Sequence, residues 1–376
     1  MQTYRIFIVL FACTLLGCSK SGRDQGTEVE TGPGVEVDYT VILAHNGQWS
    51  GSLLNANMEH VFINDDAGPF KTTPETQIVY REGSTFSLFQ KKSECEGEIT
   101  SYDFGAEQEK TTAVFDDLGS CKIYPKALAH SPSQFFMAYG LWNGVSLKID
   151  YFIRIIDRKT NEVKDVSLDK EPLQLVFSNN RLFALCLDAK VTGIHSLIVV
   201  DAKEGKQIHE INLGLEAQKI AKNYDGNILV SFASMHLIID SSILKSISEV
   251  RYGAGKEAKF GAWDNGAFFD DKLYYLRPGD LSGSTPQIPA VYDFSVNVAT
   301  FYYYENFLTS EQLQFEYNIG DTSMVSYDAK NNLILIGYRR AGNSELGGLL
   351  RIKLAPEPKL IDHIDLEGVP YAIFVN

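Results

Sequence analysis

The sequence has little that would hold it within a membrane. Its N-terminal apolar stretch, Ile6 to Leu16, has 11 residues, about half of what a bilayer-spanning helix needs. Nothing else in the chain comes near the length of a membrane span. We therefore expect any membrane association to use an anchor other than a transmembrane helix.

Catalytic signatures and positive charge are also scarce. The motifs G-x-S-x-G and H-E-x-x-H and the P-loop are missing, so three common kinds of catalytic site are not indicated. Lys and Arg number 34 against 48 Asp and Glu, for a formal net charge of −14. This balance argues against a nucleic-acid partner, which would require a basic surface.

Cysteine is limited to five residues, and no two of them have C-x-x-C spacing. A zinc site or thioredoxin-like redox chemistry is therefore not indicated. Cys13 and Cys18 fall in the N-terminal segment, which leaves Cys95, Cys121 and Cys186 in the body of the chain.

What the sequence has in abundance is repetition. Seven short runs of β-branched and aromatic residues recur, with starts 44 to 61 residues apart. They are Tyr39–Ala44, Thr85–Phe89, Phe135–Tyr139, Leu182–Cys186, Ile228–Phe232, Lys272–Leu276 and Leu333–Tyr338. Each is too short for a helix, and most follow a turn signal. One strand-built unit per period predicts an all-β, seven-bladed β-propeller over residues 38–376.

The first residues of the chain predict a targeting signal rather than part of the folded domain. Residues 1–17 combine Arg5 with a short apolar core and have the length of a signal peptide. The core runs into Leu15-Leu-Gly-Cys18, which resembles the bacterial lipobox. The resemblance implies that Cys18 becomes the first mature residue and carries acyl chains such as palmitate, which together form a stable anchor. An ordinary secretory signal with a chance cysteine is the alternative.

Residues 18–37 follow, poor in apolar side chains and rich in Gly, Ser and Glu, and they predict a flexible tether.

The two ends of the remaining chain predict how the ring closes. The last run, Tyr371–Val375, leaves its unit one strand short, and the first run, Tyr39–Ala44, has no unit before it. Pairing the N-terminal strand beside the C-terminal one completes the seventh blade and removes two exposed sheet edges.

Two neighbouring units carry a family resemblance. Ser196–Asp201 and Tyr151–Asp157 are strands that end in Asp, each followed by a turn, a second strand and an approach to the next run. They resemble the YVTN-type β-propeller repeat, which implies the same fold. The recurring strand-end aspartates are expected to be structural and to accept hydrogen bonds from turn amides. They are Asp103, Asp157, Asp201, Asp240 and Asp293.

In an up-and-down blade, the connections after alternate strands lie on the same face of the propeller. Each loop can therefore be assigned to one of the two faces. Basic and aromatic residues gather on the face that has the longer loops, where binding usually resides. The ligand-binding candidates are Trp49, Lys91, Lys92, Trp142, Arg277, Arg339 and Arg340. They predict an anionic or aromatic ligand, unless Lys and Arg simply favour exposed loops.

Cys95 and Cys121 fall on this same face, and in an oxidising compartment we expect them to form a disulfide.

Fold and anchor together resemble Bacteroidota-like outer-membrane lipoproteins. The resemblance implies an accessory protein that captures a nutrient or siderophore, facing the periplasm or the cell surface, with a small molecule or an outer-membrane protein as partner. We expect no catalytic residue, because the sequence predicts apolar inner strands, and the sequence indicates no cofactor or metal. A lactonase-like propeller enzyme and a scaffold of a membrane complex are the alternatives.

Overall fold

The computed structural model describes residues 36–376, apart from 67, 69, 120, 190, 254–256, 261–265, 280–284 and 355. The predicted signal peptide, Cys18 and nearly all of the predicted tether lie outside the described residues. Within the described part of the chain, no helix is long and apolar enough to cross a bilayer.

Seven antiparallel sheets form the structure, and we number them as blades 1 to 7 along the chain. The innermost strands, from blade 1 to blade 7, are β29 (Val369–Val375), β5 (Val79–Glu82), β9 (Ile123–His130), β13 (Glu171–Ser178), β17 (Lys219–Lys222), β21 (Ala267–Phe269) and β25 (Ile319–Asp328). The second strands are β1 (Val37–His45), β6 (Thr85–Lys91), β10 (Gln134–Asn143), β14 (Arg181–Leu187), β18 (Ile228–Ser231), β22 (Lys272–Pro278) and β26 (Leu333–Arg340).

The outer half of each blade follows the same order. The third strands are β2 (Gln48–Ala56), β7 (Gly97–Asp103), β11 (Lys148–Asp157), β15 (His195–Asp201), β19 (Met235–Ile239), β23 (Gln287–Asp293) and β27 (Asn343–Lys353). The outermost strands are β3 (Val61–Asn64), β8 (Gln108–Ala113), β12 (Val163–Leu168), β16 (Lys206–Gly214), β20 (Ser246–Arg251), β24 (Val298–Phe301) and β28 (Lys359–Leu366). The short β4 (Thr73–Pro74) pairs with β2. A 3-10 turn (Tyr304–Asn306) and a π-helical turn (Gln312–Glu316) precede β25.

The predicted seven-bladed propeller is confirmed, and each apolar run lies in the second strand of its blade. These runs are continuously apolar because both faces of the strand are buried. In β14, Leu182, Ala184 and Cys186 pack toward blade 3, whereas Phe183 and Leu185 pack toward blade 5. Consecutive blades share an apolar cluster in this way all around the ring.

The ring closes between the two ends of the described chain, as the sequence predicts. Strand β29 pairs antiparallel with β1, and Tyr39 lies opposite Val375. Blade 1 therefore combines one C-terminal strand with three N-terminal strands. Blade 7 holds its own four strands, β25 to β28, so the joined sheet lies next to a complete blade.

The recurring aspartates have the structural role predicted for them. Each of Asp103, Asp157, Asp201, Asp240 and Asp293 stands at the end of a third strand and accepts backbone amides of the turn that follows. These turns lead to the outermost strands. They define one side of the disc, which we call the aspartate face.

Candidate functional site

A central channel runs between the innermost strands of the blades. Its volume is about 1450 Å³, more than the 300–1000 Å³ typical of small-molecule pockets. Innermost strands of most blades supply its wall. At one end it meets the loops that join second to third strands and one blade to the next. We call this end the loop face, and the aspartate face is opposite.

An ion pair crosses the channel near the aspartate face. Lys222, at the end of β17 in blade 5, pairs through its Nζ with the carboxylate of Glu82, at the end of β5 in blade 2. These blades are not neighbours in the ring, so the contact between their innermost strands must span the lumen. Tyr80 of β5 donates its hydroxyl to the other oxygen of Glu82, at 3.3 Å. The ion pair therefore narrows the channel at this end.

Further polar groups line the channel walls. Arg81 donates to the backbone carbonyl of Ile373 and lies over the Phe374 ring, 4.4 Å from its centroid. Burial lowers the pKa of Arg81 to about 10. Nearer the loop face, Lys126 of β9 pairs with Glu171 of β13 at 2.5 Å. The expectation that the inner strands are apolar is wrong.

One stretch of the wall is aromatic. Trp49 stacks on Tyr371 with ring centroids 4.7 Å apart, and its edge meets Phe86 at 5.8 Å. All three residues line the channel. Trp49 is only 3% exposed, so it shapes the wall from within the interface of blades 1 and 2 rather than standing free in a loop.

The mouth of the channel joins blades 1 and 7. The carboxylate of Glu345 accepts the backbone amide of Asn46 at 2.6 Å, and its carbonyl oxygen lies 3.1 Å from Nδ1 of His45. Arg339, at the end of β26, lines the same mouth and is exposed. Within residues 36–376, as far as they are described, its guanidinium makes no hydrogen bond or ion pair. It is thus a cation available to a ligand.

A side recess of about 310 Å³ adjoins the mouth between blades 6, 7 and 1. Arg339 and Tyr371 line both spaces, and the recess adds Asp321 of β25. One oxygen of the Asp321 carboxylate accepts the backbone amides of Gln287 and Thr322, at 3.0 and 2.9 Å. Burial nevertheless raises the pKa of Asp321 above its usual range.

Of the seven ligand-binding candidates, the structure brings Trp49 and Arg339 to the channel. Lys91 donates to the Ile123 carbonyl at 3.0 Å, and Lys92 pairs with Glu98 at 2.7 Å. Trp142 is 42% exposed. These three occupy the outer part of the loop face on blades 2 and 3, away from the channel lining.

The other two arginines have partners in the protein. Arg277 is 3% exposed and lies 4.1 Å from the centroid of the Phe301 ring. Arg340 pairs with Asp365 on β28, the outermost strand of its own blade. The expected loop placement of these candidates is wrong for both Arg339 and Arg340, because both lie in β26. Arg339 is exposed and Arg340 is only partly so, because successive side chains of a strand point to opposite sides.

Cys95 and Cys121 form a disulfide that joins the loop after β6 to the segment before β9, with Cα atoms 5.1 Å apart. Cys186 is a buried free thiol, and burial raises its pKa. The lipidation site Cys18 lies outside the described residues and stays a prediction.

A buried serine–histidine pair looks like part of a hydrolase site but does not open to solvent. Ser87 Oγ lies 2.9 Å from Nδ1 of His130, and both residues are less than 5% exposed. Burial, with smaller contributions from Arg158 and Lys222, lowers the pKa of His130 to about 3. The imidazole is therefore neutral, and the pair serves the packing of blades 2 and 3.

Sequence reasoning missed most of the charged channel lining. Arg81, Glu82, Lys126 and Lys222 all sit in the strand that immediately precedes an apolar run. Polar residues in that position, one hairpin before each run, were the available signal. In the described ranges, no group of three or more His, Cys, Asp or Glu residues converges as metal ligands.

Comparisons with known proteins support the fold and no more. No protein-family model matches the chain, and a search of curated proteins also finds no match. The periplasmic gluconolactonase of Pseudomonas aeruginosa superimposes with a TM-score of 0.53 at 12% identity, over 91% of this chain and 99% of that one. The propeller domain of the trilobed protease from Pyrococcus furiosus gives 0.47 at 9% identity, over 88% and 96%. At 12% identity, the similarity to the gluconolactonase supports the β-propeller fold and says nothing about activity.

Proposed function

We propose that this protein binds a small polar ligand in its central channel, which the ligand reaches from the loop face. The observation that carries the proposal is the exposed guanidinium of Arg339, which pairs with no described residue, at the mouth of a channel of about 1450 Å³. Arginine is well suited to hold an oxyanion. The stacked Trp49 and Tyr371 add an apolar surface beside it.

The residues at the two ends of the channel support the entry of the ligand from the loop face. Lys222 and Glu82 cross the lumen near the aspartate face, whereas the mouth at the loop face carries exposed Gln77 and Ser344. A ligand that entered at the loop face would contact charged side chains of the channel wall and would then reach the Lys222–Glu82 pair near the aspartate face. A concave site with a few placed polar groups is what small-molecule binding requires.

The setting we propose is a bacterial outer membrane. Acylation of Cys18 would hold the propeller at the surface through the tether, facing the periplasm or the exterior. A capture role in nutrient or siderophore uptake fits a binding channel with no requirement for turnover. The sequence of residues 1–18 supports this part of the proposal.

The ligand is tested by mass spectrometry of small molecules released from the natively purified protein. We expect a molecule to copurify with the wild type and to be lost from Gln77→Trp/Ser344→Trp, which narrows the mouth with exposed side chains only. Lys203→Trp, exposed on the aspartate face, is the matched control. Equal amounts in all three proteins would place the molecule elsewhere.

The anchor is tested by Cys18→Ala in the bacterial host. We expect the variant to lose its acyl mass and to leave the membrane fraction, because the acyl chains supply the attachment. A wild-type protein that carries no acyl group would overturn the anchor and leave the channel proposal standing.

A second candidate is hydrolysis of a lactone in the same channel. Polar side chains on the innermost strands, such as Lys126 and Arg81, remove the sequence argument against an enzyme. The gluconolactonase that shares the fold names a substrate to assay. Turnover of gluconolactone that Gln77→Trp/Ser344→Trp abolishes would favour the enzyme, and no turnover above the spontaneous rate would favour binding alone.

A further inference from the structure

Asp321 and Arg339 present opposite charges to one small recess without neutralising each other. They are direct cross-strand partners on β25 and β26, and both line the recess of about 310 Å³. No ion pair joins them in the described structure, although Arg339 does favour the charged form of Asp321 at longer range. Oppositely charged neighbours that stay apart leave room for ligand atoms between them.

The donor and acceptor capacity of the pair is only partly used. Two backbone amides occupy one oxygen of Asp321. For the second oxygen, no hydrogen bond to any described residue is found. None of the N–H donors of the Arg339 guanidinium is bonded to a described residue. The recess thus offers one anionic acceptor and one cationic donor, and its other walls include Leu276 and Pro370.

We propose that this recess is a subsite for a zwitterion, in which Arg339 binds a carboxylate, Asp321 binds an ammonium group, and Tyr371 with Leu276 contacts an apolar substituent. An α-amino acid has this chemistry. The proposal rests on the proposed function, since the recess opens on the mouth of the same channel.

Charge complementarity excludes the simpler ligands. A plain carboxylate would gain from Arg339 but would face the Asp321 carboxylate, and a plain amine would face the guanidinium of Arg339. Each like-charge approach is costly in a partly desolvated site. A zwitterion meets both groups with opposite charge and relieves the poorly solvated Asp321 carboxylate.

Three matched probes test the subsite by calorimetric titration of the mature, lipid-free protein. They are L-phenylalanine, L-3-phenyllactate, which lacks the ammonium group, and 2-phenylethylamine, which lacks the carboxylate. We expect the amino acid to bind at least about tenfold more tightly than either analogue, because each analogue lacks one of the two hydrogen bonds to a charged group. Phenyllactate binding as tightly as phenylalanine would overturn the zwitterion and indicate a simple acid.

Two variants assign the contacts. Asp321→Asn should remove the preference for phenylalanine over phenyllactate, and Arg339→Gln the preference over phenylethylamine. Arg251→Gln, an exposed arginine on the outermost strand of blade 5, should leave both preferences intact. Preferences that survive in Asp321→Asn and Arg339→Gln would overturn the assignment.

Failure of the subsite is distinguishable from failure of the channel. If none of the three probes binds, but Gln77→Trp/Ser344→Trp still loses the molecule that copurifies with the wild type, the zwitterion subsite is wrong and the channel function stands. If the narrowed variant keeps that molecule, the channel function itself is wrong.

Discussion

Lys222 and Glu82 form an ion pair across the central channel, although 140 residues separate them in the sequence. Both side chains remain partly exposed, so the pair lies in a solvated lumen rather than in a dry core. It links blades 2 and 5 directly, and it narrows the end of the channel that faces away from the loops.

The first prediction concerns this pair. A double-mutant cycle with Glu82→Gln and Lys222→Gln should give a favourable coupling of about 0.2–1 kcal/mol, the usual range for partly exposed pairs. The coupling should shrink as salt is added, because added ions screen solvated charges. Denaturant unfolding of the four proteins measures it, and no coupling at low salt would show that the two charges do not interact.

The second prediction separates adjacent arginines. Arg339→Gln should weaken ligand binding at least about tenfold with little change in Tm, because Arg339 is exposed and forms no hydrogen bond or ion pair with any described residue. Arg340→Gln should leave binding unchanged and lower stability by about 0.2–1 kcal/mol through loss of the Asp365 pair. Calorimetric titration of both variants measures the change in binding, and thermal unfolding measures the change in stability. Equal effects on binding would place both side chains at the ligand.

The third prediction concerns ring closure. Deleting residues 371–376 removes Ile373 and Phe374, both nearly inaccessible, and takes away most of the pairing between β1 and β29. Burial of such side chains is worth about 1.5–3 kcal/mol each, so the truncated protein should be strongly destabilised or insoluble. The control is Phe315→Ala, since Phe315 is 78% exposed and its loss should change Tm little. A truncated protein that melts with the wild type would contradict the pairing of the chain ends.

The fourth prediction concerns the disulfide. Replacing Cys95 and Cys121 together by Ser opens a loop of 26 residues and should cost roughly 3 kcal/mol in the chain-entropy model. Chemical denaturation of the mature wild type and the double variant gives the difference. Equal stabilities, or free Cys95 and Cys121 thiols in the unreduced wild type, would contradict the bond.

The fifth prediction follows from Asp321. Its folded-state pKa is raised by burial, so its contribution to stability is present at low pH and is lost as the pH rises through the folded-state value. Asp321→Asn keeps an oxygen for the two backbone amides and removes the charge. We expect a higher Tm than wild type at neutral pH and no such advantage in acid. Thermal unfolding from about pH 3 to about pH 8 tests this, and a variant that is less stable at neutral pH would contradict it.

The sequence predicted the parts of the fold that local pattern encodes. The runs such as Leu182–Cys186 are apolar throughout because neighbouring blades bury both of their faces, and Asp157 and its equivalents mark turns within a few residues of themselves. The pairing of β1 with β29 followed from counting strands against blades. Each of these features can be recognised within one repeat or by comparing repeats.

The channel could not be predicted in the same way. Three of its innermost strands are short, with four residues each in β5 and β17 and three in β21, too few to show a clear alternation. The Lys222–Glu82 pair depends on the closed ring, which no local pattern encodes. Tryptophan is a residue type common in binding sites, but Trp49 is buried by tertiary packing and forms part of the channel wall.

Hydrogen exchange can locate the ligand, which we propose lies in the channel at the loop face. The natively purified protein is compared with the same protein stripped of small molecules. We expect the ligand to protect the innermost strands, in particular β5 and β9, and the 343–345 segment at the mouth. Protection confined to the outermost strands or to the turns of the aspartate face would contradict it.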